Sequence, residues 1–145
     1  MPPSVTVTIG RVLLGLYFLV PGLSKVAGSA DMVTYMQGHG IPFAAPLLWF
    51  AAIVNIFGGL FLISGRHVKF VAYGFVVYIL MVNFLLHDFW TMEGDGVAHE
   101  TQNFVKNLAI LAGLLVLAGS SAARKLSLSG WWRSDSAVLR QQSEL

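Results

Sequence analysis

The sequence contains no cysteine and few charges. None of its 145 residues is Cys, which excludes disulfides, thiolate metal ligands, iron–sulfur clusters and dithiol redox chemistry by this chain itself. Charged residues make up 11% of the chain, whereas a typical soluble domain has about 25%. The net charge is only +2, so the basic stripe of a nucleic-acid-binding protein is missing. We therefore expect no nucleic acid as a partner.

Apolar residues, in contrast, are abundant. They account for 56% of the sequence, and the mean hydropathy is +0.71. A soluble fold of this composition would expose large apolar patches to water. Four mostly apolar stretches approach the roughly 20 residues that a transmembrane helix needs. They cover residues 5–23, 43–64, 70–86 and 104–119.

The four stretches predict an all-α integral membrane protein that forms an antiparallel four-helix bundle. We expect a single transmembrane domain over residues 1–120, and a short cytoplasmic tail over 121–145 that is amphipathic or disordered. The first stretch is expected to stay in the protein as a helix. No Lys or Arg precedes it and Arg11 lies inside it, and both features are atypical of a cleaved signal peptide.

The basic residues outside the spans predict the orientation in the membrane. With four spans, the N-terminus, the loop after the second span and the tail share one side. That side carries Arg66, Lys69, Arg124, Lys125, Arg133 and Arg140. The other side carries only Lys25 and Lys106. Because Lys and Arg are enriched in cytoplasmic loops, both termini are expected to be cytoplasmic.

Arg11 is the most unusual residue of the first span. Together with Gly15, Phe18, Gly22 and Lys25 it follows steps of four and three residues, so all five share one stripe of the helix. An ionisable group in a span costs a few kcal/mol on insertion scales. Either Arg11 snorkels to the cytoplasmic surface, or it turns inward and finds a partner.

The second span contains Asn55 between two small residues, Ala51 and Gly59, at four-residue steps. Small residues on one stripe allow helices to approach closely. Asn55 is therefore either a packing amide that bonds to another helix or an amide that faces a ligand. Its predicted depth is similar to that of Arg11, so an inward Arg11 is expected to point at Asn55. No Asp or Glu lies in any of the four predicted spans.

Two polar faces with helical spacing are predicted at the outer end of the bundle. They comprise Asn83, His87 and Trp90 at the end of the third span, and Asn103, Lys106 and Asn107 at the start of the fourth. We expect His87, Lys106 and Lys25 to lie close together, with Asp88 near one of the basic groups. Such a cluster is either an outward-facing pocket or a solvated rim. The spacing of His39, His87 and His99 does not favour a metal site, so we expect no metal ion.

Several segments resemble the DoxX family of small four-helix membrane proteins. The segments are Gly10–Arg11, Pro21–Lys25, Tyr35–Pro42, Gly65 with Lys69, His87–Asp95 and Asn103–Asn107. The resemblance covers residues from about 9 to 120 and therefore all four spans. One departure is Asn55, because the family often has Glu in the second helix. An amide can accept a hydrogen bond from Arg11 but cannot neutralise its charge.

The resemblance implies a bacterial inner-membrane protein that works with a redox partner protein. The family name comes from membrane subunits of a thiosulfate:quinone oxidoreductase, so quinone is the implied ligand, and no covalent cofactor is expected. An apolar slot with one or two polar groups would suffice for a quinone. The candidate ligand-binding or functional residues are Arg11, Lys25, Asn55, Asn83, His87, Trp90, Lys106 and Asn107.

Other functions stay open at this point. A non-catalytic membrane scaffold or assembly partner would have a filled bundle and an exposed face within the membrane. A small-solute permease, favoured less, would have a wet cavity across a homo-oligomer. The sequence does not decide whether the protein is an enzyme, and it leaves the catalytic residues unknown.

Overall fold

The structure is a computed structural model that describes residues 4–123 and 131–143. These residues form six α-helices and one 3₁₀ turn. The helices are α1 (Val5–Ala27), α2 (Ser29–Gly38), α3 (Ala44–Ser64), α4 (Val68–Leu86), α5 (Gly96–Ser120) and α6 (Asp135–Ser143), and the turn is Phe89–Thr91.

Four of the helices are long and apolar enough to cross a membrane. These spans are Val5–Ala27, Ala44–Ser64, Val68–Thr91 and Gly96–Ser120, with 21 to 25 residues each. At 1.5 Å per residue, about 20 residues cross the ~30 Å hydrocarbon core. The predicted all-α membrane bundle is thereby confirmed.

The bundle is built from two helix pairs, in which α1 packs along α3 and α4 packs along α5. Glycines bring the first pair together. A Cβ atom at Gly15 would lie 2.8 Å from the carbonyl oxygen of Gly59, and one at Gly59 would lie 2.7 Å from that of Gly15. A Cβ at Gly22 would lie 3.0 Å from Cβ of Asn55. These contacts set the register of α1 against α3.

The two pairs meet in an apolar core at the middle of the bundle. The rings of Phe18 on α1 and Phe75 on α4 stack with centroids 3.6 Å apart. Leu62 of α3 and Leu114 of α5 are fully buried in the same cluster. Most other large apolar side chains of the four long helices point outward, as expected for helices surrounded by lipid.

The bundle has two ends, which we name after one residue each. The Arg11 end holds the start of α1, the α3–α4 connection, the end of α5 and α6. The His87 end holds α2, the end of α4 and the start of α5. There α2 packs across the bundle through Met36, which contacts the α3 residues Ala44 and Leu48.

The structure is also helical outside the four expected spans, namely in α2, in the first turns of α5 and in α6. Helix α5 begins at Gly96, eight residues before the expected span, because its first turns are polar and carry no hydropathy signal. Part of the tail forms α6, which docks at the Arg11 end.

Candidate functional site

Arg11 projects to the end of α3 rather than to the centre of the bundle. Its Nη1 donates hydrogen bonds to the backbone carbonyl oxygens of Leu62 and Ile63, the latter at 2.9 Å. Such last-turn carbonyls have no partner within a helix and carry its partial negative charge. The guanidinium therefore stabilises the C-terminus of α3 while its charge stays near the bundle end.

Gly65 makes room for this arrangement. It ends α3 in the left-handed conformation with φ of +70°, which favours glycine. A Cβ atom at this position would lie 3.0 Å from Nη1 of Arg11. Both the backbone conformation and the approach of the guanidinium thus favour glycine at this position.

A cavity of about 690 Å³ lies beside Arg11. Its size falls in the ~300–1,000 Å³ range of small-molecule sites. The wall combines apolar side chains with serine hydroxyls and charged groups from four parts of the chain. Its lining residues are Val7, Arg11, Ser64, Gly65, Val68, Leu117, Ser120, Ser121, Ala122, Ser134, Asp135, Ser136, Leu139 and Arg140.

The centre of the bundle contains a chain of hydrogen bonds that joins three helices. Tyr17 on α1 donates to Oδ1 of Asn107 on α5 at 3.0 Å, and Nδ2 of Asn107 donates to Oδ1 of Asn83 on α4 at 2.8 Å. Nδ2 of Asn83 then donates to the carbonyl oxygen of Phe104 at 3.2 Å. Asn83 and Asn107 are buried. Each amide thus supplies its neighbour with a partner that lipid cannot offer.

Asn55 takes part in a second polar contact. Its Nδ2 donates to the hydroxyl oxygen of Tyr78 on α4 at 3.1 Å, and its Oδ1 has no hydrogen-bond partner among the described residues. Of the two alternatives for Arg11, the inward one that points at Asn55 does not form. The glycine contacts place Asn55 opposite Gly22, eleven residues beyond Arg11, which is about 16 Å along α1.

The His87 end holds a close pair of ionisable groups. Nδ1 of His87 lies 2.6 Å from Oε2 of Glu100, which also accepts a hydrogen bond from Nδ2 of Asn103 at 3.3 Å. Because an ionised carboxylate only accepts hydrogen bonds, His87 is the donor of the pair. Glu100 is 8% exposed. The pair is therefore a partly buried contact that joins the end of α4 to α5.

Helix α2 lies against this pair through Tyr35. The Tyr35 hydroxyl donates to the carbonyl oxygen of Leu86 at 3.3 Å. Burial raises the pKa of the Tyr35 hydroxyl above its ordinary value, and the negative charges of Glu100 and Asp88 raise it further. Oδ1 of Asp88 also lies 3.9 Å from Nε2 of His39. Tyr35 consequently stays neutral and keeps its hydrogen bond across the physiological pH range.

The structure brings together only part of the predicted outer cluster. His87 pairs with Glu100, whereas Asp88 faces His39 and the hydroxyl of Thr91. Lys106 is exposed and Lys25 is half-buried. Neither lysine has a hydrogen bond or an ion pair within residues 4–123 and 131–143. A pocket formed by these residues thus stays a prediction.

The expected helical face of Asn83, His87 and Trp90 is interrupted. Helix α4 ends at Leu86, and Trp90 lies in the 3₁₀ turn. Its ring packs against Phe84, Phe89 and Phe104 and is half-exposed. Trp90 thus belongs to an aromatic cluster at the bundle end rather than to the amide chain.

Sequence reasoning missed several polar residues, namely Tyr17, Tyr78, Glu100 and Asp135. Glu100 lies before the expected fourth span, but α5 starts earlier than expected and includes it. Glu100, Asn107 and Leu114 are spaced by seven residues, so they share one face of a helix. This spacing could have indicated that Glu100 lies on the buried face of α5. Asp135 lies in a polar tail, and no local pattern indicates its contact.

The chain is similar to known proteins along most of its length. The sequence model of the family described as DoxX matches residues 6–88. Inner membrane protein YphA of Escherichia coli (strain K12) is 29% identical over 79% of this chain and 81% of its own length. Inner membrane protein YqjF of the same organism is 31% identical over 79% of this chain and 83% of its own length. No solved structure gives a significant match to the chain.

Proposed function

The chain belongs to the DoxX family, and from this premise we propose that it is an inner-membrane subunit that binds a quinone in the cavity beside Arg11 and works with a redox partner enzyme. The membrane assignment is supported by the four apolar helices and by the names of the two similar inner membrane proteins. Because the chain has no cysteine, we assign the electron transfer with the quinone to the partner.

The observation that carries the proposal is the position of Arg11 in the cavity wall. A quinone ring needs apolar walls and a hydrogen-bond donor for at least one carbonyl oxygen. Val68, Leu117 and Leu139 supply apolar wall. Both hydrogen bonds that Arg11 makes within the described residues start from Nη1. Nη2 and Nε can therefore donate to a bound carbonyl group.

The place of the cavity also suits a lipid-soluble ligand. It lies at the end of the four long helices, between the starts of α1 and α4 and the end of α5. A quinone diffuses within the bilayer, so its ring reaches this depth while its isoprenoid tail stays among the lipid chains. At the His87 end the ionisable groups His87 and Glu100 already bond to each other, whereas Arg11 lines an open cavity, so the Arg11 end is the preferred site.

The test is quinone binding by the purified protein in lipid nanodiscs. The protein is incubated with a short-chain ubiquinone and, separately, with a short-chain menaquinone, and the retained quinone is extracted and quantified. Arg11→Leu should weaken binding by about 10- to 100-fold, because a hydrogen bond to a charged group contributes about 1.5–3 kcal/mol. Arg66→Leu is the matched control. It removes the same charge at the same bundle end from a residue outside the cavity lining.

The outcomes separate the functional classes. Equal binding by wild-type protein and Arg11→Leu would place any quinone site elsewhere. No binding of either quinone, combined with a partner protein that co-purifies with wild-type protein and with Arg11→Leu alike, would instead support the scaffold function.

A further inference from the structure

Helix α4 begins without a cap of its own. Its N-cap residue, His67, is in the left-handed conformation with φ of +48° and makes no side-chain capping bond. The Asp135 carboxylate takes over this role from the start of α6. Oδ1 accepts from the backbone N–H of His67 and Oδ2 from that of Val68, each at 2.9 Å. The backbone N–H of Asp135 in turn donates to the carbonyl oxygen of Gly65 at 2.8 Å.

The charges at this point reinforce the contact. An anionic side chain at a helix N-terminus is stabilised by the partial positive charge of the helix. Arg11 adds a full positive charge, because it is close enough to Asp135 for electrostatic attraction. Arg11 thus stabilises the end of α3, and Asp135 stabilises the start of α4. Both residues lie in the wall of one cavity.

Helix α6 forms one side of that cavity. Ser134, Asp135, Ser136 and Leu139 face α1 and α5 across it. Two side chains of α6 point away from the bundle. Ala137 and Gln141 are exposed, and Gln141 accepts a hydrogen bond from Arg133 within the same segment. The hydrogen bonds of Asp135 join the start of α6 to the α3–α4 connection and to the first residue of α4.

We propose that α6 is a lid over the Arg11 cavity and that the hydrogen bonds of Asp135 to the start of α4 hold the lid closed. Movement of α6 away from the bundle removes one wall of the cavity and exposes the opposite wall. The lid inference rests on the proposed function only for the identity of the ligand that enters. The closure itself rests on the contacts of Asp135.

The absence of native cysteine allows a direct test of closure. Ser121 lines the cavity from the end of α5. Ser121→Cys places a single thiol there, and its rate of modification by a cationic methanethiosulfonate reagent reports access to the cavity in nanodiscs. Adding Asp135→Ala should raise this rate about 2- to 30-fold, the range expected from the loss of an N-cap side chain. Adding Gln141→Ala, a control within α6, should leave the rate unchanged.

A second variant covers the case in which Asp135→Ala fails to fold. Asp135→Asn keeps one acceptor oxygen but loses the charge, so it should give an intermediate rate. Spin labels at Gly10→Cys and Ala137→Cys then report the distance from α1 to α6. Gly10 has open space around it and Ala137 is exposed. Asp135→Asn should broaden the distance distribution toward longer values.

An unchanged modification rate and an unchanged distance distribution in the Asp135 variants would overturn the lid. Neither measurement uses a quinone. Faster thiol modification in a protein that binds no quinone would support the lid while the proposed function fails. Conversely, quinone binding that depends on Arg11, together with Asp135 variants that leave the modification rate unchanged, would support the proposed function and overturn the lid.

Discussion

At the residue scale, polar side chains within an apolar span were good indicators of helix–helix contacts. Asn83 and Asn107 stand out in the sequence because an amide in a membrane helix needs a partner. Both are buried and bonded to each other. Their partners could not be predicted, since these depend on the register between helices. Arg11 illustrates the same limit, because the glycine contacts of α1 with α3 direct it to carbonyl groups rather than to Asn55.

The amide chain should contribute measurably to stability. Asn107→Leu leaves Oδ1 of Asn83 and the hydroxyl of Tyr17 without their partners. We expect a loss of about 1–2 kcal/mol in the free energy of unfolding, measured by SDS titration in mixed micelles. The double variant Asn83→Leu/Asn107→Leu should lose less than the sum of the single variants. Gln102→Leu, an exposed amide on the same helix, should change stability by less than about 0.5 kcal/mol. Strict additivity of the two single losses would contradict the coupling.

At the element scale, hydropathy located the four long helices but not their ends. A span is recognisable because it must be apolar where lipid surrounds it. The first turns of α5 lie outside that region and carry Glu100, and α2 is a mixed polar segment across the bundle end. Both therefore looked like loops in the sequence. The glycines of α1 and α3 were recognised as a close-packing stripe, and the structure shows which residues they contact.

The α1–α3 contact predicts opposite effects for two glycines. Gly59→Ala places a methyl group 2.7 Å from the carbonyl oxygen of Gly15. Because this oxygen belongs to the backbone of α1, it cannot move away as easily as the end of a side chain. We expect a loss of about 1–3 kcal/mol in the free energy of unfolding. Gly74→Ala is the matched control, because a Cβ atom there has nothing within 4 Å. It should be neutral or stabilise by up to about 1 kcal/mol, because Ala favours helix more than Gly. Equal losses in both variants would show that the close packing of α1 and α3 is not the cause.

At the scale of the whole molecule, the sequence predicts the bundle but not its closure by the tail. Asp135 contacts the start of α4 over a long sequence distance. Its partner His67 lies 68 positions earlier in the chain, and its partner Val68 lies 67 positions earlier. A hydrophobic stripe repeats along the sequence and can be recognised there. The contact of a single carboxylate with two backbone N–H groups leaves no such repeat. The cavity beside Arg11 is formed by the same long-range contact, so it too could not be derived from the pattern of spans.

The orientation of the bundle is the last prediction, and it follows from the charges at its two ends. Connections at the Arg11 end carry Arg66 and the basic tail, whereas the acidic Asp95 lies in a connection at the His87 end. Basic connections stay in the cytoplasm during insertion. Alkaline phosphatase fused after Gly40 or Asp95 should therefore be active, and green fluorescent protein fused after Leu145 should fluoresce. If the fusions after Asp95 and Leu145 reported the same side of the membrane, the model with four spans would be contradicted. Opposite sides with the signals exchanged would keep the bundle and reverse its orientation, which would place the Arg11 cavity and its partner enzyme at the outer surface.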